Sequence, residues 1–152
     1  MRSEFANAPC RNWLYTAEIL ADKKLITPTD LSAVARIYAF GQFIGNNDMH
    51  FGNLSFFVDE VERDVRRPAL RLAPVYDMLP MMWRPDVQSG ELNVTAVAEQ
   101  SVSPSYARDR VVAREWAILF WQQAATLDAI DTPLKEACVV SAERLRENFR
   151  HG

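Results

Sequence analysis

The sequence predicts an α+β fold, mostly α-helical, with one β-hairpin near its middle. Three observations carry that prediction. Apolar residues recur at helical spacing along most of the chain. The pattern turns strand-like only around Leu54–Val58 and Ala69–Ala73. Capping and turn residues mark the changes, at Thr27-Pro28, Gly45-Asn46-Asn47, Ser103-Pro104 and Asp131-Thr132-Pro133.

The first helix is expected over about 12–24, where Trp13, Leu14, Ala17, Leu20 and Ala21 share a stripe. Lys23-Lys24 suit its negative end. Thr27 caps the second helix, Pro28 takes its first position, and Asp30 stands where a capping-box carboxylate belongs. Leu31, Val34, Ala35, Tyr38 and Gln42 fall on one face, with Ile37, Phe40 and Ile44 beside it. Such an apolar helix belongs in a core. Gly45-Asn46-Asn47 tolerates left-handed backbone and stops it.

Two strands follow, joined by the charged stretch 59–68, which reads as an exposed loop. Arg63, Arg66, Arg67 and Arg71 fall in or just after it, diluted by Asp59, Glu60, Glu62 and Asp64, so a solvated turn is the reading. Pro74, Pro80 and Pro85 make the next segment irregular. A third helix opens at Ser103-Pro104 and carries Val111, Val112, Trp116, Leu119 and Phe120. A fourth opens at Asp131-Thr132-Pro133 and runs to about Phe149, with Arg144, Arg146 and Arg150 near its end. Trp83, Trp116 and Trp121 read as core or packing residues, not a base-stacking platform.

Composition narrows the function. At 152 residues the chain suits a single domain, 1–152, able to fold without a disulfide or metal. A net charge of −3 gives no long-range attraction to nucleic acid or to an anionic membrane. No stretch approaches the roughly 18 apolar residues of a membrane span, and Met1 to Phe5 leads into no secretory h-region. Cys10 and Cys138 lack metal or redox spacing and read as free thiols. A cytoplasmic protein is expected.

The informative stretch runs from Ile44 to Asn53 and resumes, after the hairpin, from Leu72 to Asp77. Asp48 and Asn53 lie in a loop that leaves a core helix and enters a strand. The hairpin then returns the chain, so Asp77 can reach the same end of the sheet. Two carboxylates and an amide oxygen at one spot are the hard donors that Mg²⁺ takes alongside water and phosphate. Protein kinases use this order of parts. One Asp accepts the proton of the substrate hydroxyl, and an Asn and a second Asp hold Mg²⁺. Asp48, Asn53 and Asp77 fit those three roles.

Phe43 to Ser55 resembles the catalytic loop of HipA-like serine/threonine kinases, which reads I-G-N-x-D-x-H-x-x-N. Leu72 to Pro80 resembles the same family's L-x-P-x-Y-D segment, which stands where other kinases carry Asp-Phe-Gly. The resemblance implies a kinase-like carboxyl-terminal lobe. It also implies ATP-dependent phosphorylation of a protein Ser or Thr, with Mg²⁺ accompanying ATP as co-substrate. Asp48 would be the catalytic residue, Asn53 and Asp77 the metal ligands, and His50 a brace for the loop. Members are typically bacterial toxins held by a DNA-binding antitoxin, and some act on aminoacyl-tRNA synthetases.

The chain shows no apparatus for cradling a triphosphate. Its five glycines form no phosphate-binding motif. Of 17 basic residues, 14 are Arg and three are Lys, and none of Lys23, Lys24 and Lys135 lies on a predicted strand. An amino-terminal nucleotide-binding lobe outside these residues is therefore expected, and the isolated chain is expected to be inactive alone. Two other readings stay open. One is a non-catalytic protein-binding module or degenerate kinase remnant. The weaker one is a metal-dependent phosphoesterase built on Asp48, His50 and Asp77.

Overall fold

Four α-helices and one antiparallel strand pair order the computed structural model, which describes residues 12–58, 70–91, 94 and 104–150. They are α1 (Trp13–Asp22), α2 (Pro28–Phe43), β1 (Phe56–Val58), β2 (Leu70–Leu72), α3 (Ala107–Ala124) and α4 (Thr132–Arg150). Single 3₁₀ turns stand at Phe51–Asn53, Met81–Trp83 and Pro104–Tyr106. The mostly helical prediction with one small sheet holds. The charged stretch 59–68, Cys10 and Ser103 lie outside the described residues.

The chain divides into two compact units, each made of two stretches. The first comprises 1–38 and 49–77, the second 39–48 and 78–152. The break at 38/39 falls within α2.

In the first unit, Asn12 caps α1 by accepting the Tyr15 N–H. The helix closes with Lys24 in left-handed backbone (φ 57°), its N–H on Ala21 O and that of Leu25 on Leu20 O. Together these bonds make a Schellman cap, with lysine where glycine is usual. The two lysines thus follow the last turn rather than sitting in it. The Thr27–Asp30 box forms in both directions: Asp30 N–H donates to Thr27 Oγ1 at 3.1 Å and Thr27 N–H to Asp30 Oδ2 at 3.3 Å. The other carboxylate oxygen, Asp30 Oδ1, accepts the Leu72 N–H at 3.1 Å. One side chain therefore caps α2 and anchors β2. Burial opposes its charge, but the hydrogen bonds from Thr27 and Leu72 and the nearby Arg71 outweigh that effect. They hold its pKa below the ordinary carboxylate value.

The hairpin pairs Phe56 with Leu72, Phe57 with Arg71 and Val58 with Leu70. Its strands are shorter than the apolar runs suggest. Leu54 is taken up in closing a 3₁₀ turn, and beyond the pair Ala73 N–H still reaches Ser55 O at 3.0 Å. Arg71 stacks over the Phe57 ring, 5.0 Å from its centroid. Trp13, Ala17, Ile26, Val34, Ala35 and Ala73 are buried in this unit.

The second unit has its own core, built from the end of α2, Trp83 and the packed pair α3 and α4. The face α3 turns inward is Ala113, Ala117 and Trp121, at i, i+4 and i+8. Two of these are small and let α4 approach closely, and α4 supplies Cys138, Ala142 and Leu145. Trp121 lies against Trp83, ring centroids 4.6 Å apart. Trp116 departs from the core prediction. It is 42% exposed, on the helix face away from the alanines. Asp131 caps α4 through the Leu134 N–H. Cys138 is a free, buried thiol whose pKa burial pushes up, which makes it unreactive.

Candidate functional site

The loop carrying Asp48 starts from a helix end with every carbonyl answered. The last four carbonyls of an α-helix have no partner inside it. Here Ile44 N–H bonds Phe40 O, Asn46 N–H bonds Gly41 O and Gly45 N–H bonds Gln42 O. Phe43 O accepts the Trp121 indole N–H at 3.2 Å. The bonds to Gly41 and Gln42 form a second Schellman cap, and Gly45 supplies its left-handed residue at φ 71°.

Asn46 follows, and its side chain is buried, 4% exposed. Its Oδ1 accepts the Asp48 N–H at 3.0 Å, an Asx turn that fixes the backbone of Asp48. Its Nδ2 points to Met78 Sδ at 3.7 Å, a weak contact with the second motif. Met82 N–H, two residues beyond the second motif, donates to Gly45 O at 2.9 Å and ties the following turn to the same helix end. Asn46 belongs to the sequence motif, which by itself assigns it no role. Its signal was an Asn two residues before the candidate acid.

Asp48 is half-buried and lines a cleft of ≈ 780 Å³ with Asn47, Met81, Arg84, Pro85 and the 86–91 loop. That loop is tied on itself. Asp86 N–H donates to Glu91 O, and Gly90 N–H to Asp86 O, both at 2.9 Å. Asp86 Oδ1 accepts from the N–H groups of Gln88 and Ser89. Hydrogen bonds from the Ser89 N–H, the Gln88 N–H and the Ser89 hydroxyl hold the Asp86 pKa below the ordinary carboxylate value. No motif announces this wall, because turn residues alone do not reveal what they line.

The first unit places Asn53 and Asp77. Residues 50–53 form a tight turn centred on His50. The His50 carbonyl accepts the Trp13 indole N–H at 2.8 Å and the Asn53 N–H at 3.1 Å. His50 Nδ1 accepts the Gly52 N–H at 3.0 Å, which sets the neutral ring as the Nε2–H tautomer. A Cβ at Gly52 would stand 2.8 Å from His50 Cε1 and 2.9 Å from Nδ1, so this close approach requires glycine. The Asn53 side chain is buried, 6% exposed. Across the hairpin, the Tyr76 hydroxyl donates to Gly52 O. The neighbours of Asn53 and Asp77 are thereby bonded to each other. Asp77 is exposed and holds left-handed backbone at φ 59°. Asp and Asn enter that region more readily than most residues.

Among the described residues, no group of three or more His, Cys, Asp or Glu is arranged to hold a metal ion. Mg²⁺ needs no such cage, since one or two protein oxygens complete its shell with water and phosphate. The amide of Asn53 and the carboxylate of Asp77 are donors of that class. No helix among the described residues is long and apolar enough to cross a membrane.

Comparison with known proteins agrees with the two motifs. The profile of the HipA-like C-terminal domain matches residues 11–147. The chain is 33% identical over 150 residues to Toxin YjjJ of Escherichia coli (strain K12), across 97% of the chain and 31% of that protein. It thus spans about a third of the length of the curated relative it matches. No solved structure matches. With a profile match running from before α1 nearly to the end of α4, this chain belongs to the HipA-like C-terminal domain family.

Proposed function

We propose that the chain is the carboxyl-terminal lobe of a kinase-like fold and transfers the γ-phosphoryl group of ATP to a protein Ser or Thr, as part of a toxin. In this reading Asp48 accepts the proton of the substrate hydroxyl. Asn53 and Asp77 hold Mg²⁺ through their side-chain oxygens. When bound, the ion would neutralise charge on the phosphates as transfer proceeds. His50 keeps the turn before Asn53 in shape. The nucleotide-holding groups, the protein substrate and an antitoxin partner belong to the whole protein.

The observation that carries this reading is the tying together of the two motifs, by Tyr76 to Gly52 in one unit and by the weaker contact of Asn46 with Met78 in the other. Positioning supplies most of what a kinase contributes, and residues so bonded are held for it. The phosphoesterase reading draws on Asp48, His50 and Asp77, and no observation here favours it. The test is transfer from Mg·ATP by the intact protein and by its Asp48→Asn and Asp77→Asn variants. Loss of about 10²–10⁴-fold in rate is expected for Asp48→Asn, and loss of Mg²⁺-dependent transfer for Asp77→Asn. Transfer at the parental rate in either variant would refute that residue's assignment.

A further inference from the structure

We infer that the cleft beside Asp48 is the seat of the acceptor segment, and that it selects a hydroxyl flanked by Lys or Arg. This rests on the kinase reading and deepens it. The cleft lies wholly within the second unit, and its ≈ 780 Å³ falls in the range of ligand sites. Part of its polar wall is unspent. Among the described residues, the side chains of Arg84, Gln88 and Glu91 have no hydrogen-bond or ion-pair partner. The loop that presents them is braced by its own backbone bonds and by Asp86, so a partner meets a prepared surface.

Charge decides the occupant. Asp48, Asp86 and Glu91 line the cleft against one guanidinium, Arg84. Such a wall repels a triphosphate and attracts a cation. The carboxylates are not gathered on one point, since no metal-holding group of three exists among the described residues. Acids spread along a cleft fit an extended chain with spaced basic side chains better than a single ion. Asp86 keeps its charge even in mildly acidic solution, because its own loop's hydrogen bonds lower its pKa.

The test uses the intact protein and three peptides of equal length, each with one central Ser, flanked by Arg, by Ala or by Glu. Fluorescence anisotropy without nucleotide reads binding, and a separate assay with Mg·ATP reads transfer. The Arg-flanked peptide should bind tightest, and added salt should weaken its advantage. Glu91→Lys should cut its affinity about threefold to tenfold, and Glu91→Gln by less. Glu91 is exposed and bonds through its backbone, so neither change removes a contact that the fold uses. Equal affinity for all three peptides, or an Arg preference untouched by Glu91→Lys, overturns the inference. Transfer indifferent to flanking charge overturns it while the kinase reading stands. Arg-selective, Glu91-dependent binding with no transfer to any peptide supports the cleft and overturns the kinase reading.

Discussion

Replacing Asn46 by alanine should destabilise the chain and loosen Asp48 at the same time. The amide side chain is 4% exposed, and its Oδ1 is the acceptor of the Asp48 N–H at 3.0 Å. Removing it strands a partly buried N–H, which costs about 1–3 kcal/mol. The Nδ2 contact with Met78 Sδ, at 3.7 Å, adds little. For a chain of 152 residues, a loss of about 2 kcal/mol lowers the melting temperature by roughly 4–8 °C. Asn46→Asp keeps the acceptor but gives up the donor and buries a charge, so it should keep the turn and still lose stability. Urea unfolding gives the stability, and hydrogen exchange at the Asp48 amide gives the local effect. Exchange should quicken in Asn46→Ala and stay closer to the parent in Asn46→Asp. An Asn46→Ala protein within about 0.5 kcal/mol of its parent, with unchanged exchange at Asp48, would refute the reasoning.

Two further perturbations probe the first unit. Gly52→Ala puts a methyl 2.8 Å from His50 Cε1, so the imidazole must leave and the Gly52 N–H loses Nδ1. A cost of about 1 kcal/mol is expected, with a changed His50 ring resonance in NMR, and an unmoved resonance would count against the turn geometry. Asp30 should make the fold acid-sensitive. Its folded pKa is depressed, so its contribution is complete above the unfolded value of about 3.9. That contribution fades as pH falls through the folded value. The stability gap between the parent and Asp30→Asn, read by urea unfolding, should be largest near neutrality and shrink towards pH 3. A gap that does not change with pH would refute it.

Helix starts and stops were legible because they are local. Thr27, Pro28 and Asp30 announce α2 within four residues, and Gly45 ends it for a reason that only its own backbone needs. What α3 buries was less legible. Its large residues Val111, Trp116 and Leu119 are exposed, while Ala113 and Ala117 face the core. Phe120 does pack against that core, but the two alanines give no size signal, because close helix packing selects small residues. The ordered helix, loop, hairpin and Asp could be read from spacing, and so could the candidates Asp48, Asn53 and Asp77. The bonds that hold them could not. Asn46 with Met78, Trp121 with Phe43 and Tyr76 with Gly52 each join residues more than 20 positions apart. No periodicity reports such pairs, and the cleft wall at 84–91 has no motif at all.

The way the two acids are anchored determines how their variants should be interpreted. Asp48 is fixed by its backbone N–H to Asn46, and Asp77 by left-handed backbone following a bonded Tyr76. Asparagine keeps a backbone N–H in the first place and tolerates positive φ in the second. Exchange for Asn therefore removes charge while leaving these anchors intact. Alanine would be a poorer probe at 77, since a methyl side chain in that backbone region costs about 1–2 kcal/mol with no polar group to bond locally. A loss of transfer in Asp77→Ala would mix strain with chemistry. The same loss in Asp77→Asn, with unfolding unchanged, assigns the effect to the carboxylate, and that is the comparison on which the metal-ligand role should be judged.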